Sequence, residues 1–144
     1  MNFVIEILKT KGRDVWTVSP DATVYDALQV MADKNVGALM VVDGDTLVGV
    51  FSERDYARKI ILQGKASKDT LVREIMSTEL VCVRPDQTIR ICMELMTHKR
   101  TRHLPVLDEG RLAGVISIGD VVKAIISEQE FTIQQLEHYI AGER

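Results

Sequence analysis

Cysteine is scarce in these 144 residues. Cys82 and Cys92 are the only two, and no CxxC pair exists, so a cysteine metal cluster is excluded and two buried, reduced thiols of a cytoplasmic protein are expected. The histidines are His98, His103 and His138. No two of them share the helix or hairpin spacing of metal ligands, so no metal is expected. Charge of one sign is also lacking: the net charge of −3 gives no electrostatic case for nucleic acid. No apolar run approaches the roughly 18 residues of a membrane span. Residues 1–10 lack the basic and apolar segments of a secretory signal. There is no Walker loop, no Ser-His-Asp ordering and no Cys-His pair in a nucleophile context. A hydrolase built on Asp55 and Glu53 would have neither metal nor activated nucleophile, so no enzymatic activity is expected.

What the chain does contain, it contains twice. Gly49-Val50-Phe51-Ser52-Glu53-Arg54-Asp55 recurs as Gly114-Val115-Ile116-Ser117-Ile118-Gly119-Asp120, an offset of 117 − 52 = 65 residues. The offset holds without a gap from residues 16–60 to 81–125. About a third of the aligned positions are identical against roughly one in fifteen by chance, which marks a tandem duplication. Val4-Ile5-Glu6-Ile7-Leu8 likewise resembles Val72-Arg73-Glu74-Ile75-Met76, so a short lead-in helix precedes each copy. The expected boundaries are 1–65, 66–126 and a tail over 127–144.

Within each copy the pattern reads strand, helix, strand, strand, helix. Thr23 and Thr88 are N-cap candidates for helices with Val24, Ala27, Leu28 and Met31, or Ile89, Cys92, Met93 and Met96, facing inward. Leu39–Val42 and Leu104–Leu107 are strand-length apolar runs, and Pro105 costs the second one ladder donor. Asp43-Gly44-Asp45 and Asp108-Glu109-Gly110 read as hairpin turns. The strand Leu47–Phe51 lacks alternation and is expected to be covered on both faces. Residues 55–62 and 121–126 close the copies as helices, the first with Tyr56, Ile60 and Ile61 inward. The tail carries Phe131, Ile133, Leu136, Tyr139 and Ile140, apolar surface with no counterpart in copy one. It suggests either a second subunit or a helix folded back on its own chain.

The ordered set, present twice at fixed spacing, resembles the CBS domain pair, or Bateman module, over residues 1–126. The string Ser52-Glu53-Arg54-Asp55-Tyr56-Ala57-Arg58-Lys59 and the tail 131–139 are similar to stand-alone bacterial members. The resemblance implies an α/β (α+β) fold of two pseudo-symmetric β-α-β-β-α repeats. It implies clefts between the repeats that take adenosine-containing ligands: AMP, ADP, ATP, NAD(H) or S-adenosylmethionine. It also implies a homodimer.

Ser-x-x-Asp at a helix start is close to a capping box, which alone would justify Ser52, Asp55, Ser117 and Asp120. The same geometry suits a nucleotide. A helix N-terminus attracts phosphate, and a carboxylate can accept from two ribose hydroxyls. The resemblance implies that Asp55 and Asp120 bind ribose, one per cleft. The adenine pocket is expected from Thr17, Val18, Pro20, Gly37, Ala38 and Leu39 in site 1. In site 2 it is expected from Cys82, Val83, Pro85, His103, Leu104 and Pro105. Arg54, Arg58 and Arg102, with His103, are the candidate phosphate groups. Glu53-Arg54 in one motif against Ile118-Gly119 in the other predicts two sites of unequal affinity or selectivity. The function this implies is a non-catalytic sensor of energy or redox state in signal transduction, cytoplasmic, with no membrane contact. The alternative is a ligand-free structural dimerisation module whose Ser-x-x-Asp motifs are caps only.

Overall fold

A computed structural model describes residues 2–142. The lead-in helix α1 spans Val4–Lys11, and Gly12 stops it at φ 95°, a conformation that costs glycine little. Copy one follows as β1 (Thr17–Val18), α2 (Val24–Lys34), β2 (Ala38–Asp43) and β3 (Thr46–Ser52). A single turn α3 (Glu53–Asp55) then runs into a π-turn, Tyr56–Ile61. The second lead-in helix is α4 (Val72–Ile75). Copy two is α5 (Ile89–Lys99), β4 (His103–Asp108), β5 (Arg111–Ser117) and α6 (Ile118–Ile140). The architecture is the expected mixed α and β duplication.

Local chemistry explains the boundaries. The Thr23 hydroxyl accepts from Asp26 N–H, and Thr88 does the same for Ile91, which satisfies one open helix donor at each start. Asn35 and Arg100, equivalent by the repeat, both end their helices in the left-handed region, at φ 54° and 52°. Asparagine tolerates that region better than arginine does.

In copy one, β1 pairs parallel with β2, which pairs antiparallel with β3. The N–H of Met40 donates to Trp16 O at 3.1 Å. Its equivalent in copy two is Pro105, which has no N–H to give. The strand before α5 is therefore cut to a single parallel bridge, Val83 with Val106. That bridge is held by Val83 N–H to Pro105 O and Leu107 N–H to Val83 O.

Four expectations are corrected. Burial alternates along β3 from Val48 to Phe51, so the strand is not covered on both faces. The π-turn turns Ile61 outward, to 59 % exposure, while Ile60 stays buried, because the wider winding breaks the 3.6-residue spacing on which the expectation rested. Met93 is likewise exposed on α5. The tail is neither separate nor folded back: α6 is one continuous helix of 23 residues through both segments.

Compactness divides the chain differently from linear order. One unit is residues 1–13, 82–108 and 113–144; the other is 14–81 with 109–112. Each copy thus takes the lead-in helix of the other. In the first unit Leu8 of α1 packs where a Cβ on Gly114 would stand, 2.6 Å from Leu8 Cδ2. In the second, Met76 Sδ lies 2.6 Å from the corresponding point on Gly49, and Val50 and Ser77 exchange backbone hydrogen bonds at 2.9 and 3.0 Å. Absence of a side chain at Gly49 and Gly114 lets the lead-in segments dock. The second unit has a core of its own, with Val24, Ala27, Met31, Leu39, Val41, Phe51, Ile60, Val72 and Ile75 all buried.

Candidate functional site

The two Ser-x-x-Asp motifs sit where β3 and β5 turn into helices. Both are complete capping boxes. The Ser52 hydroxyl accepts from Asp55 N–H at 3.2 Å while Asp55 Oδ2 accepts from Ser52 N–H at 3.1 Å. In copy two, Ser117 Oγ accepts from Asp120 N–H at 3.2 Å and Asp120 Oδ2 from Ser117 N–H at 2.9 Å. Further donors of these first turns are also used. Glu53 N–H donates to Gly37 O at 3.1 Å and Ile118 N–H to Arg102 O at 2.9 Å. The expected open helix N-terminus for a phosphate is therefore largely satisfied from within.

The two carboxylates differ in what else they hold. Asp55 is 8 % exposed, and both its oxygens are engaged. Ser52 Oγ donates to Oδ2 at 3.0 Å, Ser77 Oγ to Oδ1 at 3.2 Å, and Lys59 Nζ lies 3.3 Å from Oδ1. Lys59 also donates to Ile75 O at 2.9 Å. Asp120 binds Lys11 Nζ at 2.6 Å through Oδ2, and Lys11 donates as well to Val115 O at 2.9 Å. Lys11 Nζ and the Ser117 N–H both fall on Oδ2, and among the described residues neither of these bonds reaches Oδ1. Burial pushes the Asp120 carboxyl up. The hydrogen bonds from Lys11 and Ser117 and the Lys11 charge outweigh it, and the net effect lowers its pKa.

Lys11, Lys59 and Ser77 were not among the candidates. Lys59 is legible, since it stands four residues after Asp55 in a helical stretch. Ser77 and Lys11 are not, because each reaches its aspartate from the exchanged lead-in segment.

The remaining candidates fall in two sets, each inside one compact unit. In site 1, Ala38 is opposite Ser52 and Leu39 opposite Phe51, while Thr17 and Val18 pair with Met40 and Val41. Gly37 joins the motif through Glu53. Leu39 and Pro20 are buried, Thr17, Arg54 and Arg58 exposed; Pro20 O accepts from Arg73 N–H at 3.0 Å. In site 2, Val83 and Pro105 share a hydrogen bond, and Arg102 and Ser117 flank the Ile118 N–H contact. Leu104 and Pro105 are buried, His103 and Pro85 half-buried, Arg102 exposed. Cys82 is half-buried rather than buried, and burial raises its thiol pKa; that of the buried Cys92 is pushed up to about 11. A pocket of about 470 Å³ lies beside site 1, lined by Leu28, Met31, Ala32, Asn35, Val36, Gly37 and Glu53. It includes Gly37 but none of the other site 1 candidates. Among the described residues no three His, Cys, Asp or Glu side chains group as metal ligands, and no helix is long and apolar enough to cross a membrane.

A duplicated unit with a glycine-seated lead-in segment and a Ser-x-x-Asp cap in each copy defines a tandem-repeat module of one class. The chain belongs to the CBS domain family, whose profile matches residues 5–62 and 72–127. It is 42 % identical over 149 aligned residues to the mitochondrial CBS domain-containing protein CBSX3 of Arabidopsis thaliana, spanning 96 % of this chain and 72 % of that one. Among solved structures, it is similar to one described as a signal-transduction protein with CBS domains from Burkholderia ambifaria. The TM-score is 0.85 at 53 % identity, covering 88 % of this chain and 96 % of that one. The CBS domain pair of protein MJ0100, solved with 5-methylthioadenosine and S-adenosyl-L-methionine, has the same fold, with a TM-score of 0.78 at 22 % identity over 88 % of this chain and 97 % of that one.

Proposed function

We propose that this chain is a non-catalytic regulatory module that binds adenosine-containing ligands, AMP, ADP, ATP or NAD(H), as a cytoplasmic sensor of energy or redox state. The observation that carries it is the Asp120 carboxylate, half-buried with the Lys11 and Ser117 N–H bonds both on Oδ2 and neither on Oδ1. Oδ1 would face a ribose hydroxyl, and Oδ2 is held by Lys11, whose side chain is 35 % exposed and would have to leave both Oδ2 and Val115 O for a ribose to use both oxygens. A bidentate grip on two vicinal hydroxyls needs both oxygens. Asp55 supports a second, weaker site, since a ribose there must displace Ser77 or Lys59. Extended backbone at Val83 and His103–Pro105, or at Thr17–Val18 and Gly37–Leu39, would pair with the purine edge. Arg102, or Arg54 and Arg58, would meet phosphate. That MJ0100 was solved with two adenosine compounds favours this ligand class. Occupancy would be passed on by biasing self-association, the chain acting as a homodimer.

The test is calorimetric titration of nucleotide-stripped protein with AMP, ATP and NAD. The expected result is a tighter site lost in Asp120→Ala and a weaker one lost in Asp55→Ala. Two equal sites of identical selectivity would contradict the asymmetry, and binding unaffected by either variant would contradict the assignment of both aspartates. A second reading, ligand-free structural dimerisation, has one observation in its favour: each Ser-x-x-Asp motif is complete as a cap. Absence of heat with every nucleotide would select it.

A further inference from the structure

From Gln129 to Ile140 every residue of α6 is exposed, yet the helix is not polar. Val122, Ile126, Ile133, Leu136 and Ile140 are 46, 49, 54, 56 and 83 % exposed. Their spacings are four, seven, three and four residues, which is a heptad seam with isoleucine at the first core position and valine or leucine at the other. Gln129 fills the one core position left. At 100° per residue all six lie within about 80° of arc. This stripe is distinct from the one that buries Val121 and Ala124 in the fold.

We infer that α6 pairs antiparallel with α6 of a second copy of this chain. The seam matches its own reverse. Val122 faces Ile140 of the partner subunit, Ile126 faces Leu136 of the partner subunit, and Gln129 faces Ile133 of the partner subunit, each pair summing to 262. On the flank, Lys123 meets Glu137 of the partner subunit, and the dyad repeats that pair. Parallel pairing would set Lys123 against Ile118 and Glu137 against Thr132 and form no ion pair. Charge complementarity thus chooses both the occupant and its direction. An anionic membrane surface is disfavoured, because Glu130 and Glu137 border the stripe and Lys123 is the only base beside it. Near the dyad Glu130 faces Glu130 of the partner subunit, the seam's one like-charge contact.

The inference deepens the self-association in the proposed function and is independent of its nucleotide. The experiment is sedimentation equilibrium of the full chain across the micromolar range. The wild type should be a dimer. Ile133→Glu/Leu136→Glu should raise its dissociation constant roughly a hundredfold or more. Both positions are over half exposed, so the fold should persist, checked by an unchanged circular dichroism spectrum. Lys123→Glu should loosen the dimer and added Glu137→Lys restore it, while Glu130→Gln should tighten it several-fold, a gain that misfolding cannot mimic. Asp120→Ala should stay dimeric, so failure of the nucleotide reading remains distinguishable from failure of this one. A monomeric wild type, a dimer untouched by the double substitution, or a charge reversal without rescue overturns the pairing.

Discussion

Asp55 and Asp120 occupy equivalent positions and cap equivalent turns, but their outer partners come from different places. Asp55 is closed by Ser77 and Lys59, Asp120 by Lys11 alone on one oxygen. The Lys11 contact has a consequence for acid stability. Because the folded Asp120 carboxyl sits below its ordinary pKa, the unfolded chain takes up the proton first as pH falls. The stability it contributes is therefore present above the ordinary carboxylate range and is lost as pH drops through the lowered folded value. Lys11→Met should flatten this loss below about pH 4, read from urea midpoints at stepped pH. An unchanged acid limb would mean that the ion pair contributes nothing. At neutral pH, Asp120→Asn should cost less than about 1 kcal/mol, since an asparagine amide oxygen at this third helical position can still accept from Ser117 N–H and a partly exposed pair is weak. Its ligand affinity should nonetheless fall by about 1–3 kcal/mol through an altered acceptor. A variant that loses stability and affinity in step would assign Asp120 to the cap alone.

Among the elements, the lead-in segments bear most on the site, since each docks against a glycine of the other copy and carries a partner for its aspartate. Gly49→Ala would bring a Cβ to 2.6 Å from Met76 Sδ, 2.9 Å from Met76 Cγ and 3.0 Å from Ser77 O, whereas in Gly114→Ala the contact is with Leu8 side-chain carbons. A side-chain tip yields and a backbone carbonyl does not. Both should destabilise, Gly49→Ala by about 2–3 kcal/mol and Gly114→Ala by about 1 kcal/mol, measured by chemical denaturation; the reverse order would contradict the packing described. The repeated elements themselves were legible, because the 65-residue offset carries Thr caps, apolar runs and Ser-x-x-Asp together. Pro105 even foretold the shortened pairing at Val83. The exchange of lead-in helices was not legible: Val4–Leu8 and Val72–Met76 carry the same pattern and would suit either copy. The π-turn at Tyr56–Ile61 was hidden for a related reason, since its residues fit an α-helix equally well. The unbroken α6 was missed because Ser127–Glu130 reads as a polar connection, while in the helix only Gln129 of that run falls on the apolar seam, which continues on the same face to Ile140.

For the whole molecule, the family and the duplicated fold follow from features that any copy of the pattern must have, whereas the proposed nucleotide binding depends on whether two carboxylates release their internal partners. Of the site, the aspartates and their caps could be read from spacing. The lysines and serine that compete for the same oxygens could not, because they come from residues distant in sequence. The central claim is that those oxygens exchange internal partners for a ribose. The most direct measurement is a thermal-shift panel on nucleotide-stripped protein with AMP, ADP, ATP, NAD, NADH, NADP and S-adenosylmethionine. A ligand at about 100 times its dissociation constant should stabilise by about 2.7 kcal/mol, several degrees for a chain of this length. The account predicts such a shift with a subset of the panel, reduced in Asp120→Ala and abolished when Asp55→Ala is added. No shift with any of the seven compounds would contradict it and leave the module a dimeriser whose aspartates are caps.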